Sequence, residues 1–350
     1  MKKRESGIEL LRIILMIGVI ILHINSKDIG SALYLVDKYS VSWYLLIFLE
    51  NIFIYAVDIF IIISGYFLCK SNKRSLIKVI ELFLELFFIR LTKYFVMIIL
   101  GKEIFSISHL LSLFIPNSYF VVLYSVLYII SPYINITINK FNKKSDLKRL
   151  LIILIIVFCV WNTLGNIFQN ITQKSYMGLS TIGAWGSQQG FNIVNFIILY
   201  VVGAYLNING VKISSKKIYI LLISEIILIG WSLLEKIYCQ STIAWYYDNP
   251  LIIINSSIIF LIFKNYKKEN KYINEIAKAS FTVFLVNSIF IGYFIDNIVN
   301  SSPLIMVLYI FLLAIGTYIF GYIVYKLYSF ISKSIIKLLE KYKEKFDLSL

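Results

Sequence analysis

Two ionisable residues, Arg12 and His23, stand inside the first long apolar run, GIELLRIILMIGVIILH. Eleven positions separate them, which on a helix is three full turns plus about 20°, so they share a face at an axial offset of about 16 Å. Such a face suits one wall of a tunnel, with a cation at one end and a proton acceptor at the other. Histidine changes charge near neutral pH, so it can take the proton from a sugar hydroxyl that attacks a thioester. Glu9 precedes Arg12 by three residues and can pair with it on the helix surface. Each residue also has a plainer reading. Arg12 can snorkel to an interface, and His23 can be a hydrogen-bonded histidine near a helix end. The residues alone leave both readings open.

Other groups with chemical potential are scattered. Glu50 and Asp58 lie eight apart, roughly on one helix face, where each is a buried acid oriented toward His23 or Arg12, or Glu50 faces a watery vestibule. Arg90 and Lys93 are expected to pair with Glu81 or Glu85, and His109 falls in an interfacial stretch away from the chemistry. Glu225, Glu235 and Asp296 are further candidates for a vestibule, and Trp185, Tyr246 and Tyr247 for stacking on a sugar ring. The cysteines, Cys69, Cys159 and Cys239, are odd in number and widely spaced, so neither a disulfide framework nor a metal-ligand spacing is visible.

What positions these groups follows from composition. Hydrophobic residues make up 59% of the 350, charged residues 15%, and mean hydropathy is +0.81. A water-soluble surface needs more charge than that, so the solvent is lipid. The long uninterrupted runs exclude a barrel of short alternating strands and imply helices. The expected spans are 8–24, 43–68, 79–100, 118–138, 148–168, 191–208, 217–237, 249–264, 279–297 and 304–330. The first is read as retained rather than a signal peptide, because no small-residue cleavage site follows it. Of the 34 Lys and Arg, 26 fall in alternate connections and the termini and only five in the opposite set. That bias puts both ends in the cytoplasm. The formal charge of +15 is thereby assigned to anionic lipid, not to nucleic acid. The expectation is an all-α polytopic protein of about ten transmembrane helices. It comprises a membrane domain over 1–332 and a basic tail over 333–350, with residues 103–116 interfacial or re-entrant.

The opening run resembles the first helix of the membrane acyltransferase-3 family, whose mark is an arginine, ten residues, and a histidine. VDIFIIISGYFL resembles that family's next motif, with Asp58, Ser64 and Gly65. SYFVVLYSVLYIISPYIN, NFIILYVVGAYL and ASFTVFLVN resemble later blocks in the same order, so the similarity spans nearly the whole chain. The resemblance implies a multi-pass enzyme of the bacterial cytoplasmic membrane with no permanently bound cofactor. It would transfer an acyl group, usually acetyl, from acyl-coenzyme A to a hydroxyl of a cell-envelope glycan or lipid-linked sugar. It makes His23 the catalytic base and Arg12 the motif's cation. Glu9, Asp58, Ser64, Gly65 and Asn287 are site-lining residues on this reading. The family's paired arginines at the third helix are missing. Lys73, Arg74 and Lys78 remain to meet coenzyme A phosphates as point charges. Asn287 stands where many members have histidine, which leaves hydrogen bonding but no proton transfer. The rival readings are a transporter or flippase of lipid-linked sugars, a glycan polymerase or ligase, and a catalytically silent relative.

Overall fold

The computed structural model describes residues 4–141, 144–175, 178–183, 188–239, 241–342 and 346–349. Trp185 lies outside them. The helices in chain order are α1 (Ser6–Asn25), α2 (Ala32–Leu35), α3 (Val41–Phe53), α4 (Ala56–Leu68), α5 (Ile77–Ile99), α6 (Ile107–Ser112), α7 (Tyr119–Asn139) and α8 (Lys144–Ile155). There follow α9 (Trp161–Thr172), α10 (Ile193–Ile208), α11 (Ser215–Leu234), α12 (Pro250–Lys264), α13 (Lys271–Ile276), α14 (Ser280–Val286), α15 (Ile291–Val299) and α16 (Pro303–Lys341).

Among the described residues seven helical stretches are long and apolar enough to cross a membrane. An eighth arises if α13–α14 and α15 count as one bent span. The protein is thus a polytopic all-α membrane protein. Two further expected spans coincide with α5 and α10. The first has five charged residues among its 23, and the second is only 16 residues long.

The ends of several elements differ from expectation for physical reasons. The ninth expected span is bent by 85° where α14 stops and α15 begins, and Asn287 sits at that break. The last helix does not end near 330. Helical periodicity continues through SKSIIKLLEK, giving one helix of 39 residues, about 58 Å long and roughly twice the hydrocarbon thickness. It is continuous across position 332. Beyond it, β2 (Asp347–Ser349) pairs antiparallel with β1 (Lys73–Ser75).

α1 packs against α3, α4, α12, α13, α14 and α16, so its apolar residues are buried nearly all round. α4 and α10 form the tightest seam. A Cβ at Gly65 would collide with the Tyr200 carbonyl oxygen, and one at Gly203 with that of Ile62. Close backbone approach through small residues is how helices associate where lipid removes the hydrophobic drive. Polar side chains tie the rest together. Asn51 Nδ2 donates to Ser232 Oγ at 2.9 Å, and Trp245 Nε1 donates to Asn51 Oδ1 at 3.3 Å. Outward faces of α8, α11 and α16 present Ile152, Ile153, Ile223, Ile226, Leu312 and Ile319, an apolar belt suited to lipid.

Candidate active site

A cavity of about 340 Å³ follows the face of α1 that carries Arg12, Met16, Val19 and His23. Those positions advance by four, three and four, one stripe of a 3.6-residue helix. α4 faces it with Val57, Phe60 and Ser64 at the same kind of spacing. α7 contributes Phe120, Val121 and Tyr124, and α14 contributes Phe281 and Phe284. Tyr119 and Tyr247 complete the aromatic wall.

Among the described residues four cations line the cavity: Arg4, Arg12, Lys78 in the first turn of α5, and Lys278 just before α14. Glu9, only 5% exposed, sits between two of them. It accepts from Arg4 Nη1 at 3.3 Å and lies 3.6 Å from Arg12 Nη1. Lys278 Nζ meets Glu275 at 2.6 Å, and Lys326 meets the other oxygen of the same carboxylate at 2.6 Å. Two carboxylates, Glu9 and Glu275, among Arg4, Arg12, Lys78, Lys278 and Lys326 leave the mouth net positive, the condition for attracting a polyanion.

His23 lies about 16 Å along α1 from Arg12. Its imidazole hydrogen-bonds the Asn287 side chain, so the break between α14 and α15 brings an amide to the ring. Nδ1 is buried and has no hydrogen-bond partner among the described residues. A histidine oriented by one neighbour and with a ring nitrogen left over is equipped to take up a proton. Ser64 Oγ donates to the Phe60 carbonyl at 3.1 Å and lies 3.4 Å from the Tyr124 hydroxyl. This places two hydroxyls on one wall of the cavity. Asn287→Ala is expected to lower turnover about tenfold, as losing one orienting hydrogen bond would. The donor KM should be unchanged, and steady-state kinetics on the purified protein checks it.

Arg12, His23, Ser64 and Lys78 are thus together on one cavity, with Glu9 and Asn287 bonded to its lining. Lys73, Arg74, Asp58 and Gly65 do not line it. Lys73 is exposed on β1. Arg74 is 3% exposed and spends its guanidinium inside the protein. Nε donates to Ser131 Oγ at 2.7 Å, Nη1 to the carbonyls of Ser71 and Lys73, and Nη2 to the Leu68 carbonyl and the Tyr200 hydroxyl. It closes the carbonyl end of α4, where a cation is favourable. Gly65 faces α10, as the seam requires. Asp58 is fully buried, with neither carboxylate oxygen hydrogen-bonded among the described residues.

The structure also places the remaining candidates. Among the described residues Arg90 pairs with no carboxylate, contrary to expectation: its Nη1 donates to the carbonyls of Leu113 at 3.0 Å and Ile115 at 2.6 Å, just past the end of α6. Glu85 instead accepts from Thr282. Glu235 accepts from the Ala244 amide at 2.9 Å, and Glu225 from Tyr55 and Asn255, so both serve helix packing. Glu50 accepts from Asn25 Nδ2 at 2.9 Å. His109 lies away from the cavity as expected, its ring tilted by 37° against that of Tyr94 with centroids 4.3 Å apart. Sequence reasoning missed Arg4, Lys278, Tyr119 and Tyr124 as lining groups. In the sequence Arg4 and Lys278 are indistinguishable from other terminal and loop cations.

No curated protein and no solved structure matches the chain. The family profile described as an acyltransferase domain, that of the acyltransferase 3 family, matches residues 5–326. With a helical bundle suited to lipid and one cavity joining cations to a histidine, the chain belongs to the acyltransferase 3 family and is a multi-pass membrane acyltransferase.

Proposed function

We propose that the protein is an O-acetyltransferase of the bacterial cytoplasmic membrane. It moves an acetyl group from acetyl-coenzyme A to a hydroxyl of a cell-envelope glycan or lipid-linked sugar. The observation that carries this reading is that Arg4, Arg12, Lys78, Lys278 and His23 line the same cavity. The topology proposed with it has ten spans: the seven long helical stretches, the bent pair, α5 and α10. Ten spans return the chain to the side on which it began, and the Lys and Arg bias makes that side cytoplasmic. The four cations then face the pool of the donor.

In this mechanism the donor's phosphates meet Arg4, Arg12, Lys78 and Lys278, and the pantetheine arm runs along the α1 stripe past Met16 and Val19. The thioester carbonyl arrives beside His23. The imidazole takes the proton of the acceptor hydroxyl as its oxygen attacks the carbonyl carbon. The C–S bond breaks, and the proton passes to the departing thiolate. In an acyl-enzyme variant the imidazole attacks first and carries the acetyl group before the hydroxyl takes it. Asn287 holds the ring in either case.

Lys278→Gln tests the donor assignment. Losing one charge-assisted contact is expected to raise the KM for acetyl-coenzyme A about tenfold. The KM for S-acetyl-N-acetylcysteamine, a thioester without phosphates, should not move. Equal effects on both, or none on either, would remove the phosphates from this mouth. Wild-type protein that binds no coenzyme A but moves lipid-linked sugar would favour a transporter.

A further inference from the structure

His23 is the last residue of α1 along the cavity. Two residues further, Asn25 is 2% exposed and donates to the Leu46 carbonyl at 3.0 Å and to Glu50 at 2.9 Å. Asn51, next to Glu50, accepts from Trp245 Nε1, so the segment before α12 lies at the His23 end of α1. The other end of α12 lies where a Cβ at Gly7 would collide with the Phe263 carbonyl. Gly7 precedes His23 by 16 residues, about 24 Å of helix. Tyr247, which lines the cavity, thus stands at the end far from the cations. α7 delivers a second ring there. Tyr124 lies beside Ser64, and Asn135, further along, donates to the Leu68 carbonyl. α7 therefore runs in the same direction as α4 and places Tyr119 away from the mouth.

These two rings share one brace. Phe191 meets Tyr119 edge to face at 4.8 Å and Tyr247 at 5.0 Å, a favoured arrangement for aromatic pairs. The backbone before Phe191 is itself pinned. The Tyr247 amide donates to the Gln189 carbonyl at 3.0 Å, and Asn195 Nδ2 donates to the Gly190 carbonyl at 3.3 Å. Gly190 has φ +81°, and a Cβ on it would lie 2.8 Å from that of Tyr247, so only glycine lets the two segments close up. Tyr247 is 9% exposed and is held from behind by Phe191 and Gly190. A thioester carbonyl beside His23 leaves its acyl tail only the space in front of two fixed rings.

We infer that Tyr119 and Tyr247, braced by Phe191, limit the length of the acyl group that the site accepts. This rests on the transfer reading above and names the residues behind its acyl selectivity. The two tyrosines act by the bulk of their rings. Phe191 does not line the cavity and is a positioning residue that acts through them. One methylene too many for an apolar pocket costs about ten- to 200-fold, so each carbon past the acetyl methyl should weaken the donor about tenfold or more.

The test uses the full chain in lipid nanodiscs and coenzyme A analogues with an amide nitrogen in place of the thioester sulfur, which bind without reacting. Acetyl, propionyl, butyryl and hexanoyl forms are titrated by calorimetry beside coenzyme A itself. Wild type is expected to lose about tenfold in affinity from acetyl to propionyl, and about as much again to butyryl. Tyr247→Ala should remove most of that difference, whereas Tyr247→Phe, which keeps the ring, should hold the wild-type profile. Phe191→Ala, at a position 38% exposed, should give an intermediate profile and carries the test where Tyr247→Ala does not fold. Phe281→Ala removes a lining ring near Lys278 instead and should leave the acetyl-to-butyryl ratio unchanged. An unchanged ratio in folded Tyr247→Ala or in Phe191→Ala overturns the inference, as does a relaxed one in Phe281→Ala. Coenzyme A bound by wild type with a flat chain-length profile sinks the limit alone. Coenzyme A not bound by stable wild type sinks the transfer reading, and the limit with it.

Discussion

His23→Ala is expected to lower acetyl transfer by roughly three orders of magnitude, within the range that a positioned general base contributes. The variant should still insert and fold. Among the described residues His23 forms no ion pair, and its side-chain hydrogen-bond partner, Asn287, sits at a break where the backbone is already bent by 85°. Thiol release from acetyl-coenzyme A with an acceptor present reads the chemistry. A binding measurement with coenzyme A reads the cation end, about 16 Å away along α1. Binding retained with transfer lost places His23 in the reaction and leaves the mouth intact. Transfer unchanged in stable protein removes His23 from the mechanism.

Arg74→Lys should act on stability, whereas Lys78→Gln should act on the donor. Arg74 serves five acceptors from a site 3% exposed. An ammonium has three donors, so the substitution loses at least two of these five bonds, while each acceptor keeps a second partner. A hydrogen bond to a charged group is worth about 1.5–3 kcal/mol, for a total of about 3 kcal/mol, which thermal unfolding in detergent would detect. Lys78 is exposed at the first turn of α5 and lines the cavity. Removing its charge should change stability by less than about 0.5 kcal/mol and weaken coenzyme A binding several-fold. Weak binding in a fully stable Arg74→Lys would return that guanidinium to the phosphates.

The contrast shows what the sequence could and could not reveal. Arg12 and His23 are legible because a helical period is fixed and an ionisable group inside an apolar run is costly to bury. The apolar runs likewise mark most helices. Lys73, Arg74 and Lys78 read as one basic cluster, yet strand pairing turns the middle one inward and leaves its neighbours outside. That sorting depends on Ser131 and Tyr200, 57 and 126 residues away, and no local pattern encodes it. Lys278 joins the cavity because α13 and α14 pack beside α1, again a long-range fact. The bend at Asn287 is invisible to composition, since the residues on both sides are equally apolar.

The pairing of β1 with β2 also has a consequence for synthesis. The loop that orients Arg74 obtains its strand partner from a segment made roughly 270 residues later, and Leu76 N donates to the Phe346 carbonyl at 2.8 Å. At a translation rate of about 5–20 residues per second, β1 waits roughly 14 to 55 s for that partner. Through this interval the earlier helices enter the bilayer with the loop after α4 unclasped. The clasp closes only after α16 has been inserted, so its formation times the completion of the bundle.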